Sequence, residues 1–142
     1  MPKHTLVDAG SLAILRAFFN NIFPAGTKNL TLKLFTNDLL PGRDDITADY
    51  TEAAGGGYAS KTLTNGSWVE SNTDPPYVSY AEQTWTFTGG LTGNQTVYGY
   101  YVVNDNGVLI LAGRLGEPQV INEANDEIKL TPKFELSWGI PT

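Results

Sequence analysis

Acid–base and nucleophilic chemistry draw on a few side-chain types, and this sequence of 142 residues is short of most of them. It has one histidine, His4, and no cysteine. A serine or threonine triad needs an imidazole within hydrogen-bond reach of the nucleophile. His4 belongs to an N-terminal arm, where disorder is the usual expectation, and no Gly-x-Ser-x-Gly elbow occurs. Without cysteine there is no thiol catalysis, no disulfide and no Cys-based zinc or iron–sulfur site. The redox compartment stays open.

Carboxylates are the remaining candidates. A glycosidase site wants two Asp or Glu side chains facing each other across a cleft, commonly beside aromatics. Glu82 stands just before Trp85, Glu70 just after Trp68, and Glu127 and Glu135 are an even number of residues apart on one expected strand, hence on one face. The plainer account is solvent-facing charge on an acidic domain, and it is preferred. Asp38, Asp44, Asp45, Asp49 and Glu52 crowd one segment and suggest calcium, which takes about six to eight oxygen ligands. Their spacing is not that of an EF-hand. A solvated loop held open by self-repulsion accounts for them, so no catalytic, cofactor or metal residue is assigned.

The aromatic residues carry more information. Trp85 and Phe87 share one strand face, with Thr84, Thr86 and Thr88 on the other, and core packing explains them best. Tyr98 and Tyr100 share a face opposite Gly99, Tyr101 and Val103. That face is either core with hydroxyls at the rim, or an exposed surface for sugar stacking or a protein interface.

These residues must be positioned by elements that the hydrophobic rhythm outlines. One helix is expected over 11–23: Asp8 or Ser11 caps it, Leu12, Leu15, Phe19 and Ile22 form its stripe, and Pro24 and Gly26 end it. Ile14, Ala17 and Phe18 fall off that stripe, so the helix is apolar on more than one side. Burial in its own domain explains this, or docking of part of it onto another subunit. After Gly26 the period changes to two. Strands are expected over 29–36, 58–64, 83–88, 96–104, 108–115 and 127–138, separated by Asn65-Gly66, Gly89-Gly90 and Asn104-Asp105-Asn106-Gly107. The last turn joins two apolar runs and is the clearest hairpin. The fold class is therefore mainly β, an antiparallel β-sandwich or jelly roll with one short N-terminal α-helix. A chain this long makes one domain, 1–142, with its arm and helix over about 1–24. Residues 37–57 and 70–76 break the rhythm as loops, and long loops are often functional or reach a neighbour.

The formal charge is −6, and nine basic residues are scattered without forming a stripe. Nucleic acid is not an expected partner, because counterion release needs clustered Lys and Arg. The segment 11–23 is too short to span a bilayer, and no secretion signal is visible, so a soluble protein made in a cytoplasm is expected. Asn29, Asn65 and Asn94 begin glycosylation sequons that carry no weight in that setting.

Five blocks resemble a known group: Leu32-Lys-Leu-Phe-Thr-Asn-Asp38, Tyr50-Thr-Glu-Ala-Ala-Gly-Gly-Gly-Tyr58, Thr96-Val-Tyr-Gly-Tyr-Tyr-Val-Val103, Val108-Leu-Ile-Leu-Ala-Gly-Arg-Leu115 and Ile128-Lys-Leu-Thr-Pro-Lys-Phe-Glu-Leu-Ser137. Over about residues 8–137 the chain is similar to small tailed-bacteriophage virion proteins encoded among head and tail structural genes. The resemblance implies a non-enzymatic structural protein of the virion, made in the host cytoplasm. It implies a capsid decoration (cement) protein or a minor tail component, and the expected role is capsid decoration, in homo-oligomers or bound to the major capsid protein or other virion proteins. The alternative is a tail-associated carbohydrate-binding, host-recognition module stacking sugars on Trp68, Trp85 or Tyr98. No site is carried over from the group. The interface residues expected from the sequence are His4 in the arm, Leu12, Phe18 and Phe19 on the helix, and Asp44, Gly55, Gly56, Gly57 and Tyr58 in the loop. The glycine run fits backbone with positive φ or close approach to another surface.

Overall fold

The structure, a computed structural model, describes residues 29–135 together with Leu15 and Phe19. His4, Leu12 and Phe18 lie outside the described residues, as does the expected helix as a whole; Leu15 and Phe19 themselves are helical and buried. The fold is mainly β, and its strand pairs are antiparallel. In chain order the strands are β1 (Leu30–Phe35), β2 (Lys61–Leu63), β3 (Val69–Ser71), β4 (Tyr77–Ser79), β5 (Gln83–Thr86), β6 (Thr96–Val103), β7 (Leu109–Val120), β8 (Glu127–Leu130) and β9 (Lys133–Glu135), with one 3₁₀ turn at Thr47–Asp49. Among the described residues no helix is long and apolar enough to cross a membrane.

The chain divides into two compact units. The larger holds residues 29–63 and Gln83–Leu130. Its main sheet has the order β2-β1-β6-β7, and β5 pairs with β8 in a second, two-stranded sheet. Leu30, Leu32 and Leu34 of β1 are buried while Thr31 and Lys33 are half-buried, as period two requires of a strand with one apolar face. On β6 Val97, Gly99 and Tyr101 are buried on one face with Tyr98 and Tyr100 half-buried on the other, and Val102 and Val103 at its end are both buried. Gly99 lies under the Phe35 ring, where an added Cβ would come within 2.6 Å of two ring carbons. That close approach lets Phe35 stack edge-on to Tyr50 at 5.0 Å, while Tyr50 stacks on Tyr101 at 5.1 Å.

The hairpin between β6 and β7 forms where the sequence put it. Asn104 Oδ1 accepts the N–H groups of Asn106 and Val108, each at 2.9 Å, and Gly107 adopts φ 77°. The β6–β7 ladder is irregular in two places. Ile110 is an extra residue between the pairs Val103–Leu109 and Val102–Leu111, and a wider offset falls between Gly99–Arg114 and Val97–Gln119.

The smaller unit comprises Thr64–Glu82, residues 131–135, Leu15 and Phe19, with the sheet order β3-β4-β9. Its core is aromatic: the Phe19 ring lies 4.5 Å from Trp68 and 5.1 Å from Phe134, and Trp68 lies 5.3 Å from Tyr80. The Phe19 carbonyl accepts the Gly66 N–H. The sequence reading missed β3 and β4, because strands of three residues are too short to show a period. It also ran 127–138 as one strand. The chain breaks there at Thr131-Pro132, since proline has no N–H for a ladder; β8 pairs with β5 in the larger unit and β9 with β4 in the smaller.

Candidate interaction surface

The sequence places Glu127 and Glu135 on one face of one strand, and the structure does not. Glu127 and Glu135 stand on different strands of different units, a correction that follows from the break at Pro132. Glu127 accepts the Thr86 hydroxyl at 3.1 Å, and Glu135 pairs with Lys133 at 3.6 Å.

The acidic segment is fastened to the protein. Asp38 accepts Arg114 Nη1 at 2.6 Å, and the same guanidinium reaches the Leu39 carbonyl at 3.2 Å and lies over the Tyr98 ring. Asn37 bridges the Asp49 carbonyl and the Thr51 N–H, both at 2.9 Å. Asp49 accepts the Ile46 N–H at the start of the 3₁₀ turn. Asp45 accepts the Gly42 N–H at 2.8 Å and the Tyr50 hydroxyl at 2.7 Å. Those two donors hold its carboxyl below its ordinary pKa, the backbone donor contributing most. Burial, then the hydrogen bond to Asp45, raises the Tyr50 phenol well above its usual range. Partnered carboxylates, and not mutual repulsion, therefore shape this loop. Asp44 is exposed. Among the described residues no three His, Asp or Glu side chains form a group that could hold a metal ion.

Gly55, Gly56 and Gly57 all have positive φ, and the surface they approach is the chain's own segment 88–92. A Cβ on Gly56 would fall 2.4 Å from the Gly89 carbonyl oxygen. The Thr92 N–H bonds to the Ala54 carbonyl and the Thr88 N–H to the Gly56 carbonyl. Tyr58, next in sequence, partners β1 beyond the three residue pairs that β1 makes with β2. The buried Leu34 N–H donates to its hydroxyl oxygen at 3.2 Å, and the hydroxyl donates to Glu52 at 3.3 Å. Glu52 also pairs with Lys33 at 3.3 Å. Burial pushes the Tyr58 phenol well up and moves the neighbouring Tyr101 to about 12. The glycines and Tyr58 thus make contacts within the larger unit, and Phe19 packs within the smaller one, while Gly55 and Gly57 remain exposed.

The aromatics follow the same pattern. Trp68 and Trp85 are buried, 5% and 3% exposed, and Trp85 Nε1–H donates to the Ala59 carbonyl. Phe87 is buried as expected. Tyr98 is half-buried beneath Arg114.

The larger unit also exposes large apolar residues, among them Val120 and three that adjoin one cleft. Leu40, Ile46 and Val108 are 79%, 61% and 55% exposed. The Thr47 hydroxyl donates to the Gly107 carbonyl at 2.7 Å, so Ile46 and Val108 adjoin the two ends of one hydrogen bond. Beside them lies a cleft of about 290 Å³ between the loop residues Pro41, Gly42, Arg43 and Asp45 and the strand residues Leu109–Ala112, with Tyr50 also lining it. Each of the three exposed residues is the chain neighbour of a residue that lines this cleft. Large apolar residues left exposed beside one cleft are a candidate interaction surface. The sequence reading included the loop but not these residues. Leu40 and Ile46 stand among turn formers and Val108 opens an expected strand, so nothing in their local pattern marks them as exposed. Comparison with family models, with curated proteins and with solved structures returns no match to this chain.

Proposed function

We propose that the chain is a non-enzymatic structural protein of a phage virion, a capsid decoration protein that docks on the major capsid protein through this apolar-rimmed cleft. The observation that carries the docking reading is the exposure of Leu40, Ile46 and Val108 around one cleft on an otherwise acidic protein. The assignment to a virion comes from the sequence resemblance. The accompanying fold reading is an antiparallel sandwich or jelly roll with an N-terminal helix. Supporting its sandwich part, Lys61 of β2 lies 5.5 Å over the Trp85 ring of β5, so the two sheets of the larger unit touch. A glycan-stacking role has less support, because Trp68 and Trp85 are buried and Arg114 covers the Tyr98 ring.

The test is co-sedimentation with cement-free capsids. The wild-type chain is expected to pellet with them, and the triple variant Leu40→Ser, Ile46→Ser, Val108→Ser to stay in the supernatant with an unchanged melting curve. Equal pelleting of both would sink the docking surface, and no pelleting of either would sink the capsid role.

A further inference from the structure

The main sheet of the larger unit ends on one side with β2, only three residues long, and on the other with β7, which has twelve. Short edges are one way proteins prevent strands from adding to a sheet; charges, prolines and bulges are others. The far half of β7 has several of these, since it carries Glu117 and Pro118 and departs from the β6 register. The near half does not. From Val108 to Gly113 the sequence reads Val-Leu-Ile-Leu-Ala-Gly, with no charge and no proline, and the extra residue Ile110 is its one irregularity. Among the described residues no strand pairs with the outer side of this run. Its first residue, Val108, is exposed, and Leu109 to Ala112 line the cleft whose loop side adjoins Leu40 and Ile46 in sequence.

From this we infer that β7 pairs with β7 of a second copy of the chain, antiparallel across a two-fold axis through Ile110 or Leu111, joining the two main sheets into one. The inference rests on reading this apolar end as an interface. The occupant is argued from charge. Two chains of net charge −6 repel in general, but the run from Val108 to Gly113 carries no charge and so opposes no like charges to itself. With the axis through Ile110 the nearest cation, Arg114, falls opposite Asn106 of the second copy, next to Asp105; with the axis through Leu111 it falls opposite Val108, and Asp105 falls opposite Glu117 beyond the paired run. The two Arg114 side chains stand roughly 20 Å or more apart, beyond the Debye length at physiological salt. An isologous contact of this type closes on itself and leaves no further edge to propagate.

The chain has no cysteine, so single cysteines can report the register. Directly opposed residues in an antiparallel pair have Cα atoms about 5 Å apart, within disulfide reach, and each step from the axis adds roughly 7 Å between equivalent residues. Cysteine is placed in turn at positions 108 to 113 of the full chain, and cross-linking is read under mild oxidation. Sedimentation velocity is run on the wild type and on Ile110→Lys over roughly 1 μM to 1 mM. The expected result is a wild-type dimer, a monomeric but folded Ile110→Lys, and cross-linking concentrated at Ile110→Cys or Leu111→Cys. A wild-type monomer throughout that range overturns the pairing, and so does a dimer that cross-links at none of the six positions. Capsid co-sedimentation separates the two readings. A monomer that still pellets with capsids defeats self-pairing alone, and a cross-linked dimer that ignores capsids defeats the virion reading alone.

Discussion

Replacing Tyr58 by phenylalanine removes one oxygen and isolates one buried hydrogen bond. Leu34 is fully buried, and its N–H has the Tyr58 hydroxyl as its partner at 3.2 Å. Phenylalanine keeps the ring and leaves that N–H unpaired, which costs about 1–3 kcal/mol. The second bond lost, to Glu52 at 3.3 Å, adds little, because that carboxylate is one-third exposed and keeps Lys33. The expected loss is therefore about 2 kcal/mol, or a fall in melting temperature of roughly 6 °C for a chain of this size. Urea unfolding followed by tryptophan fluorescence measures it, with exchange of the Leu34 amide as the local readout. Tyr98→Phe, at a half-exposed hydroxyl, is the control and should stay within about 0.5 kcal/mol. A loss below about 0.5 kcal/mol for Tyr58→Phe, with Leu34 exchange unchanged, would refute the claim that the hydroxyl satisfies the Leu34 N–H.

The other predictions concern pH, packing and the loop. Tyr50, Tyr58 and Tyr101 all have folded pKa values above the unfolded value of 10.0. Stability from keeping them neutral is complete below pH 10 and is lost as pH rises through the folded values, so a pH series of urea midpoints should be flat to about pH 9.5 and fall beyond it. Gly99→Ala puts a Cβ 2.2 Å from the Gly113 carbonyl and 2.6 Å from the Phe35 ring, whereas Gly89→Ala meets nothing within 4 Å. The first should lose about 1–3 kcal/mol or fail to fold, and the second should change little, both read by thermal melting. Arg114→Ala should lower global stability by no more than about 1 kcal/mol, because the Asp38 carboxylate is largely exposed. Its effect should instead appear as faster amide exchange at residues 38–42, where the guanidinium holds the loop.

Local chemistry was enough to read the period-two strands. Leu30 to Phe35, Thr96 to Val103 and the turn at Asn104 follow from alternation and Asx-turn chemistry, which act over a few residues and need no partner. The burial of Trp85 and Phe87 was legible for the same reason. The scarcity of imidazole and thiol groups likewise belongs to the sequence alone.

Pairing and exposure were decided elsewhere. Pro132 shows a break, but only the fold sends β8 and β9 to different units and so separates Glu127 from Glu135. The glycine run announced positive φ, yet which surface it approached depended on segment 88–92 arriving from thirty-odd residues away. The acidic loop read as self-repelling because a sequence lists charges without their partners; Arg114, Tyr50 and backbone N–H groups brought in by folding reverse that conclusion. The exposure of Leu40, Ile46 and Val108 is likewise a tertiary fact. An apolar residue in a loop is buried or presented according to what folds over it, and no local period encodes that.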